Sequence, residues 1–308
     1  MVMKIVSFTA VIVCTVSTAF GTSPYEFLDI PVGARATGMG GAFTAVANDP
    51  SSVYWNPAGW LGSPAREVAM EYTHYIQGMK KGYIGYLHPM GDYSSFGGGI
   101  TYLSVGEMTK TTADGDEIGT FAPLYMATTL AYSTQVLTDP SVRAGGGLKW
   151  IYGSIDEYSS HAVALDLGAL YEPGPRGLVV GFSVQNLGTQ IKKYDETKES
   201  IPLGLAVGGS YLSGGGGLLL TFDLKRPADH GLIFALGSEW VATKNFTFRL
   251  GYNSLGSDWK SGSESDILGG LSVGAGFTWR QLRLDMSLRP MVDLGNPLWI
   301  STSYRLSR

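Results

Sequence analysis

The chain has 308 residues, 43 of them glycine, and Asp, Glu, Lys and Arg together supply only 16%, where about 25% is usual. Hydrophobic residues reach 44% and aromatic residues 12%, and the glycines follow no three-residue period, which excludes a disordered or collagen-like chain. With 22 Lys and Arg against 26 Asp and Glu, a formal charge of -4, and no basic stripe, the chain has nothing from which to build a nucleic-acid surface.

Met1 to Lys4 carries one positive charge, Ile5 to Phe20 is almost wholly apolar or small, and Ala19-Phe20-Gly21 places small residues two apart. That is the pattern of a secretory signal peptide, so residues 1–21 are expected to be a cleaved leader. A transmembrane anchor needs about 20 apolar residues, and polar Thr22, Ser23, Tyr25 and Glu26 follow at once. Cys14, the only cysteine, lies in this leader, so disulfides, Cys-zinc sites and thiol catalysis are not expected in the mature chain. Beyond Gly21 no run of 18 apolar residues exists, which leaves a barrel as the only way to cross a membrane.

Residues 22–65 show no strand alternation. The run Gly33 to Pro50 is built of small residues, which allow close backbone approach in a confined space. Asp49 before Pro50 and Asn56 before Pro57 each place a side-chain acceptor ahead of a proline, predicting two short helical turns. Phe43, Tyr54, Trp55 and Trp60 are costly to leave in water. The segment therefore reads as a compact plug entering a barrel from the periplasmic side.

From Arg66 onward, segments of roughly ten residues alternate apolar with small or polar, and each ends in Gly, Pro, Asp or Asn. Val142, Ala144, Gly146, Leu148, Trp150 and Tyr152 stand against Arg143, Gly145, Gly147 and Lys149. Fourteen such segments are predicted, at 66–75, 81–88, 94–105, 123–135, 142–152, 161–171, 178–187, 202–211, 218–225, 232–241, 246–252, 268–279, 282–290 and 298–306. The number is even, as single-chain outer-membrane barrels require. Short connections such as Pro89–Asp92, Ala242–Asn245 and Arg280-Gln281 alternate with longer ones at Gly106–Ala122, Gly188–Ile201 and Asn253–Ile267, which is barrel topology. Tyr72, Tyr102, Tyr132, Tyr152, Tyr171, Tyr211, Trp240, Tyr252, Trp279 and Tyr304 fall near segment ends, where interfacial girdles would place them. The fold predicted is an all-β transmembrane antiparallel barrel of about 14 strands over 66–308, with an N-terminal hatch in its lumen.

Ala34-Arg35-Ala36-Thr37-Gly38-Met39-Gly40-Gly41-Ala42-Phe43, followed by Asn48-Asp49-Pro50-Ser51-Ser52-Val53-Tyr54-Trp55-Asn56-Pro57-Ala58-Gly59, resembles the N-terminal signature of PorV/PorQ proteins. That family sits within the FadL-type outer-membrane barrels, and Asn56, Pro57 and Ala58 carry the link to the FadL-type channels. The resemblance covers about 30 residues; the rest matches in architecture only. It implies a fourteen-stranded barrel with a lumenal hatch whose motif is Gly38, Gly40, Gly41, Asn56, Pro57 and Ala58. The chain departs from many such barrels by ending Ser303-Tyr304-Arg305-Leu306-Ser307-Arg308, without a terminal aromatic.

If the apolar faces meet lipid, the lumen receives Arg143, Lys149, Asp166, Asp223, Lys225, Glu239, Arg249, Arg283, Asp285, Arg289 and Arg305. Mixed signs suit mutual pairing better than an ion-selective ring of one sign. The function expected first is passage of hydrophobic, fatty-acid-like molecules through a FadL-like barrel in the bacterial outer membrane. The alternative is a PorV-like subunit of a type IX protein secretion system, with Phe121 and Tyr125 beside Asp114–Glu117 as contact residues. A barrel enzyme using His74, His161 or His230 ranks last, since no GxSxG or HExxH motif is present. Asp114–Glu117 lacks the calcium-loop pattern, so neither metal nor cofactor is expected. The expected partners are outer-membrane lipid, a hydrophobic ligand and secretion-system proteins. Phe96-Gly97-Gly98-Gly99-Ile100 reads either as a wall gap or as room for the plug.

Overall fold

A computed structural model describes residues 23–61, 65–136, 139, 141–174, 177–259 and 268–306; the leader expected at 1–21 lies outside them. The strands are β1 (Arg66–His74), β2 (Lys80–Pro89), β3 (Ser94–Ser104), β4 (Met108–Thr111), β5 (Glu117–Phe121), β6 (Leu124–Gln135), β7 (Val142–Ile155) and β8 (Tyr158–Tyr171). They continue with β9 (Leu178–Lys192), β10 (Gly204–Leu212), β11 (Leu218–Pro227), β12 (Ile233–Val241), β13 (Phe246–Asn253), β14 (Leu271–Trp279), β15 (Leu282–Leu288) and β16 (Leu298–Leu306). All but β4 and β5 form one closed antiparallel barrel, in which each strand pairs with its sequence neighbours and β1 closes on β16. The closing register runs from Arg66↔Leu306 to His74↔Leu298. Each of the fourteen predicted segments is one barrel strand, with ends moved by a few residues.

Two-residue alternation decides which side each residue takes. On β1, Glu67, Ala69, Glu71 and Thr73 are buried toward the lumen, while Met70, Tyr72 and His74 face out. The outer wall carries Leu130, Leu148, Phe182, Phe248 and Leu250, all exposed, an apolar surface that water would not tolerate and lipid requires. Tyr72, Tyr102, Tyr132, Tyr171, Tyr211, Trp240, Trp279 and Tyr304 all point outward from this wall. No described helix is long and apolar enough to cross a membrane.

The end where β1 starts and β16 finishes is closed by short turns; the other end carries the longer loops. The structure corrects three loop expectations. The stretch Gly106–Ala122 contains the β4–β5 hairpin, which stands apart from the barrel. The expected loop at Gly188–Ile201 is shorter, because β9 keeps pairing with β8 as far as His161↔Lys192, beyond an irregularity at Asn186, whose φ is 60°. At the long-loop end β7 and β8 are joined by a tight turn, with Ile155 paired to Tyr158, so loop lengths do not alternate strictly. Part of the 253–267 connection lies outside the described residues.

The glycine run on β3 is not a gap. Its register with β2 and β6 is unbroken, and a Cβ on Gly97 would lie 2.8 Å from the Trp60 ring and one on Gly99 2.6 Å from the Tyr83 ring. These glycines make room for inward aromatics. Leu130→Arg, at the middle of β6 on the outer wall, is expected to destabilise the bilayer-folded barrel by about 2–4 kcal/mol. Denaturant unfolding from lipid vesicles, read by Trp fluorescence, measures it.

Candidate functional site

Residues 23–61 lie inside the barrel and nearly fill it. Ser23 Oγ donates to the Ser200 carbonyl at 2.6 Å, at the long-loop end, and Tyr25 bonds Ser160 there. At the other extreme the Leu61 carbonyl accepts from Arg143 at 3.2 Å, near the short turns. The segment thus joins β1 at the short-turn end, as a plug entering from that side must, but its N-terminal residues reach the opposite mouth. Between them lie α1 (Ala34–Gly38) and α2 (Ser52–Trp55), then a 3-10 turn, Pro57–Trp60. Asn56 caps that turn as its sequence predicts, accepting from Ala58 N–H at 3.0 Å. Asp49 instead accepts from Ser51 N–H at 3.0 Å, and α2 starts only at Ser52. The helix α1 was not expected; its small residues carry no periodic signal.

The glycine motif serves close approach. Gly38 and Gly40 lie on β12–β14: a Cβ on Gly38 would sit 3.1 Å from Gly274 Cα, and one on Gly40 2.5 Å from the Tyr252 carbonyl. Gly40 also has φ +67°, which favours glycine. Its N–H donates to Ser272 Oγ at 3.0 Å and its carbonyl accepts from Asn253 at 2.8 Å. Asn56 donates to carbonyls of Thr44 (2.8 Å), Ala169 (3.2 Å) and Phe182 (3.2 Å), tying the segment to β8 and β9. Inward Gly145 and Gly168 leave space for Pro57 and Asn56.

Six charged groups form one network. Arg35, on α1, grips Glu239 of β12 with both faces of its fork, at 2.8 and 2.7 Å, the strong bidentate geometry. Arg249 of β13 reaches the same carboxylate at 2.7 Å and pairs with Asp285 of β15 at 2.9 Å. Arg283 pairs with Asp285 at 2.8 Å. Asp49 takes long contacts, 3.4 Å to Arg35 and 3.8 Å to Arg283, and Arg283 stands 3.9 Å from Glu239. Three cations balance three anions, two members belonging to the N-terminal segment and four to the wall. The arrangement is nearly dry, so removing one member leaves an uncompensated charge, a loss of about 3–5 kcal/mol.

Other inward charges hold the segment elsewhere. Glu71 accepts from Gly33 N–H at 2.6 Å, and Lys81 donates to the Pro31 carbonyl at 2.8 Å. One oxygen of Asp223 accepts from Phe43 N–H (2.9 Å), Thr44 N–H (3.0 Å) and Thr44 Oγ1 (2.7 Å). Lys149 and Asp166 pair at 2.9 Å, and Asp166 accepts from Asn186 N–H at 2.7 Å, bracing the β9 irregularity. Of the lumen charges expected from sequence, Glu239, Arg249, Arg283 and Asp285 meet in the network and Lys149 meets Asp166. Arg143 stands apart at the short-turn rim with Glu172, and Arg289 is buried beside Tyr75 near the other end.

The lumen is divided by polarity. At the long-loop end, Leu103, Ala127, Ile151, Ala162, Ala164 and Ile201 surround Tyr25, Phe27 and Leu28. At the short-turn end, under Ala45–Asn48, lies a cavity of about 670 Å³ lined in part by Arg35, Arg143, Arg283 and Arg305. Tyr125, expected to contact a partner, faces inward and stacks on Phe27 at 5.6 Å; Phe121, in the β4–β5 hairpin, is half-buried. The rim histidines do not converge: His161 lies against Trp150 and Tyr152, His230 beside Asp229, and His74 is on β1. Among the described residues no group of three potential metal ligands occurs.

Sequence reasoning missed Arg35, Asp49, Glu71 and Lys81 as attachment points. A lone arginine in a run of small residues was the available signal, since a confined charge demands a partner. Glu67 and Glu71 were also readable, alternating with Val68, Met70 and Tyr72. Lys81 was not, because Tyr83 and Leu87 share its inward face.

A family model described as type IX secretion system protein PorV matches residues 15–213. No curated protein matches the chain. Among solved structures, the toluene transporter TbuX of Ralstonia pickettii is 13% identical with a TM-score of 0.64, covering 90% of this chain and 98% of its own. The toluene transporter TodX of Pseudomonas putida is 12% identical at 0.61, covering 89% and 97%. A FadL homologue of Pseudomonas aeruginosa is 12% identical at 0.56, covering 90% and 99%. These likenesses show the fold. The barrel and the family match place the chain in the bacterial outer membrane.

Burial alone would raise the Asp49 carboxyl, but Arg35, Arg283 and the Ser51 hydrogen bonds hold it below its ordinary 3.8. Its attachment is therefore complete above pH 3.8 and lost as pH falls through the lower folded value. The part of the conductance in planar bilayers that Asp49 controls, read as the difference between wild type and Asp49→Asn, should stay constant from about pH 8 to about pH 5 and vanish only below the ordinary carboxylate range. Arg35→Ala should raise conductance at neutral pH, and Arg35→Lys should restore it only in part, since an ammonium cannot reproduce the fork. Replacing Asn56 and Pro57 with alanine should also raise it.

Proposed function

The chain belongs to the PorV family, and we propose that it is an outer-membrane barrel passing hydrophobic small molecules, with residues 23–61 as its hatch. Long loops face outward and short turns the periplasm, the usual arrangement of such barrels, and residues 1–21 are removed on export. The observation carrying this reading is the apolar cluster at the long-loop end of the lumen, where Leu103, Ala127, Ile151, Ala162 and Ala164 face Phe27 and Leu28. A pore for ions or sugars favours charged or polar walls at its entrance. An apolar molecule displacing Phe27 and Leu28 would find a wall of its own polarity, with the hatch below as the barrier.

A second reading, a subunit of a type IX secretion system, is favoured by the family match over residues 15–213. The β4–β5 hairpin, exposed along most of its length, is then the surface offered to a protein partner. The toluene carried by TbuX and TodX is a property of those proteins; it supports an apolar cargo here through the fold they share.

Native mass spectrometry of the protein extracted from outer membranes in mild detergent separates the two. A bound apolar molecule of a few hundred daltons supports the channel, and Phe27→Ala should change its occupancy. A stoichiometric polypeptide with no small ligand would instead support the secretion subunit.

A further inference from the structure

The cavity of about 670 Å³ at the short-turn end adjoins a recess of about 140 Å³, and Glu239, Arg283 and Arg305 line both. Among the described residues, the two spaces together are lined by six arginines and three glutamates, with no aspartate, lysine or histidine on their walls. Most of these charges are spent on one another. Arg143 is held by Glu172, and Arg35 and Arg249 are held by Glu239.

Arg280 lies over the Trp279 ring, 5.2 Å from its centroid, which leaves Arg283 and Arg305. Arg283 commits Nε and Nη2 to Asp285, at 2.8 and 3.3 Å. Among the described residues its Nη1 meets no acidic oxygen nearer than Asp49 Oδ2, at 3.8 Å, beyond hydrogen-bond reach. Arg305 makes one contact, Nε to Glu67 at 3.4 Å, and half of its side chain is open. Two guanidinium groups therefore present donors to one space, the arrangement that carboxylates and phosphates take. The far wall is apolar, formed by Val46, Leu178, Val179, Leu212 and Leu219.

We infer that this vestibule binds an oxyanion, a carboxylate or a phosphate, between Arg283 and Arg305, and that Asp49 is its internal competitor. Asp49 already occupies loose positions in the charge network, 3.4 and 3.8 Å from its two cations. An entering anion that takes Arg283 Nη1 removes one of its two cations and loosens the hatch from the short-turn side. The site exists whether the barrel passes apolar molecules or serves secretion, so its test is independent of that choice.

The test is isothermal titration of the full mature chain, folded in a maltoside detergent, with hexanoate, its neutral counterpart hexanol, and inorganic phosphate. Hexanoate is expected to bind at least tenfold more tightly than hexanol and to weaken as salt rises. Arg305→Gln should weaken hexanoate about tenfold without moving hexanol, and Asp49→Asn should tighten hexanoate, a gain that mere loosening of the fold would not produce. Phosphate that displaces hexanoate identifies a small free anion as sufficient. Phosphate that does not, while hexanoate binds, identifies an anionic amphiphile using the apolar wall. Equal binding of hexanoate and hexanol, or hexanoate binding indifferent to both Arg305→Gln and Asp49→Asn, overturns the site.

Discussion

A positive charge carried into the middle of a barrel must find an acid, and Arg35 is that charge. It sits on a helix of five residues, too short to hold a position by its own hydrogen bonds. Its fixed point is the fork to Glu239, which β13 and β15 surround with Arg249, Arg283 and Asp285. The glycines around it follow from the same demand. With bulkier residues at 38 and 40 the helix would stand away from β14 and β13, and the guanidinium would not reach. Apolar burial of Phe43, Trp55 and Trp60 contributes about 1.5–3 kcal/mol each. It does not specify orientation as a bidentate ion pair does.

The lumen is two environments in series. At the long-loop end an aliphatic cluster of the wall is stoppered by the segment's own aromatics, with Lys81 and Arg289 also buried at that end; at the short-turn end the wall is arginine-rich. The network borders the short-turn cavity, so a disturbance arriving there reaches it first. Glu71, Lys81 and Asp223 hold backbone atoms of the segment at separate heights. Loosening the network alone would thus release Arg35 and Asp49 while Gly40, Phe43 and Thr44 stay held by Ser272, Asn253 and Asp223.

The barrel was legible because lipid on one side and a filled lumen on the other impose a two-residue period on almost every strand. That period located Lys149, Asp166, Arg249, Arg283 and Asp285 on the inner face. It did not say which would meet, since β12, β13 and β15 converge on Arg35 only once the sheet has closed and the segment is seated. Residues 23–61 have no period, and their helix α1 had no signal apart from small side chains. β2 was ambiguous for another reason: Tyr83 and Leu87 point inward, so its two faces look alike and Lys81 was hidden. The extent of β9 was misjudged because the irregularity at Asn186 shifts the alternation partway along, and pairing resumes beyond it.

The central claim is that residues 34–60 are held as firmly as the wall. Hydrogen exchange of the folded wild-type protein, followed by mass spectrometry at neutral pH, tests it most directly. The account predicts that amides of Ala34–Trp60 exchange as slowly as those of β12–β15. Exchange of that segment at the rate of the short turns, with the strands still protected, would contradict it.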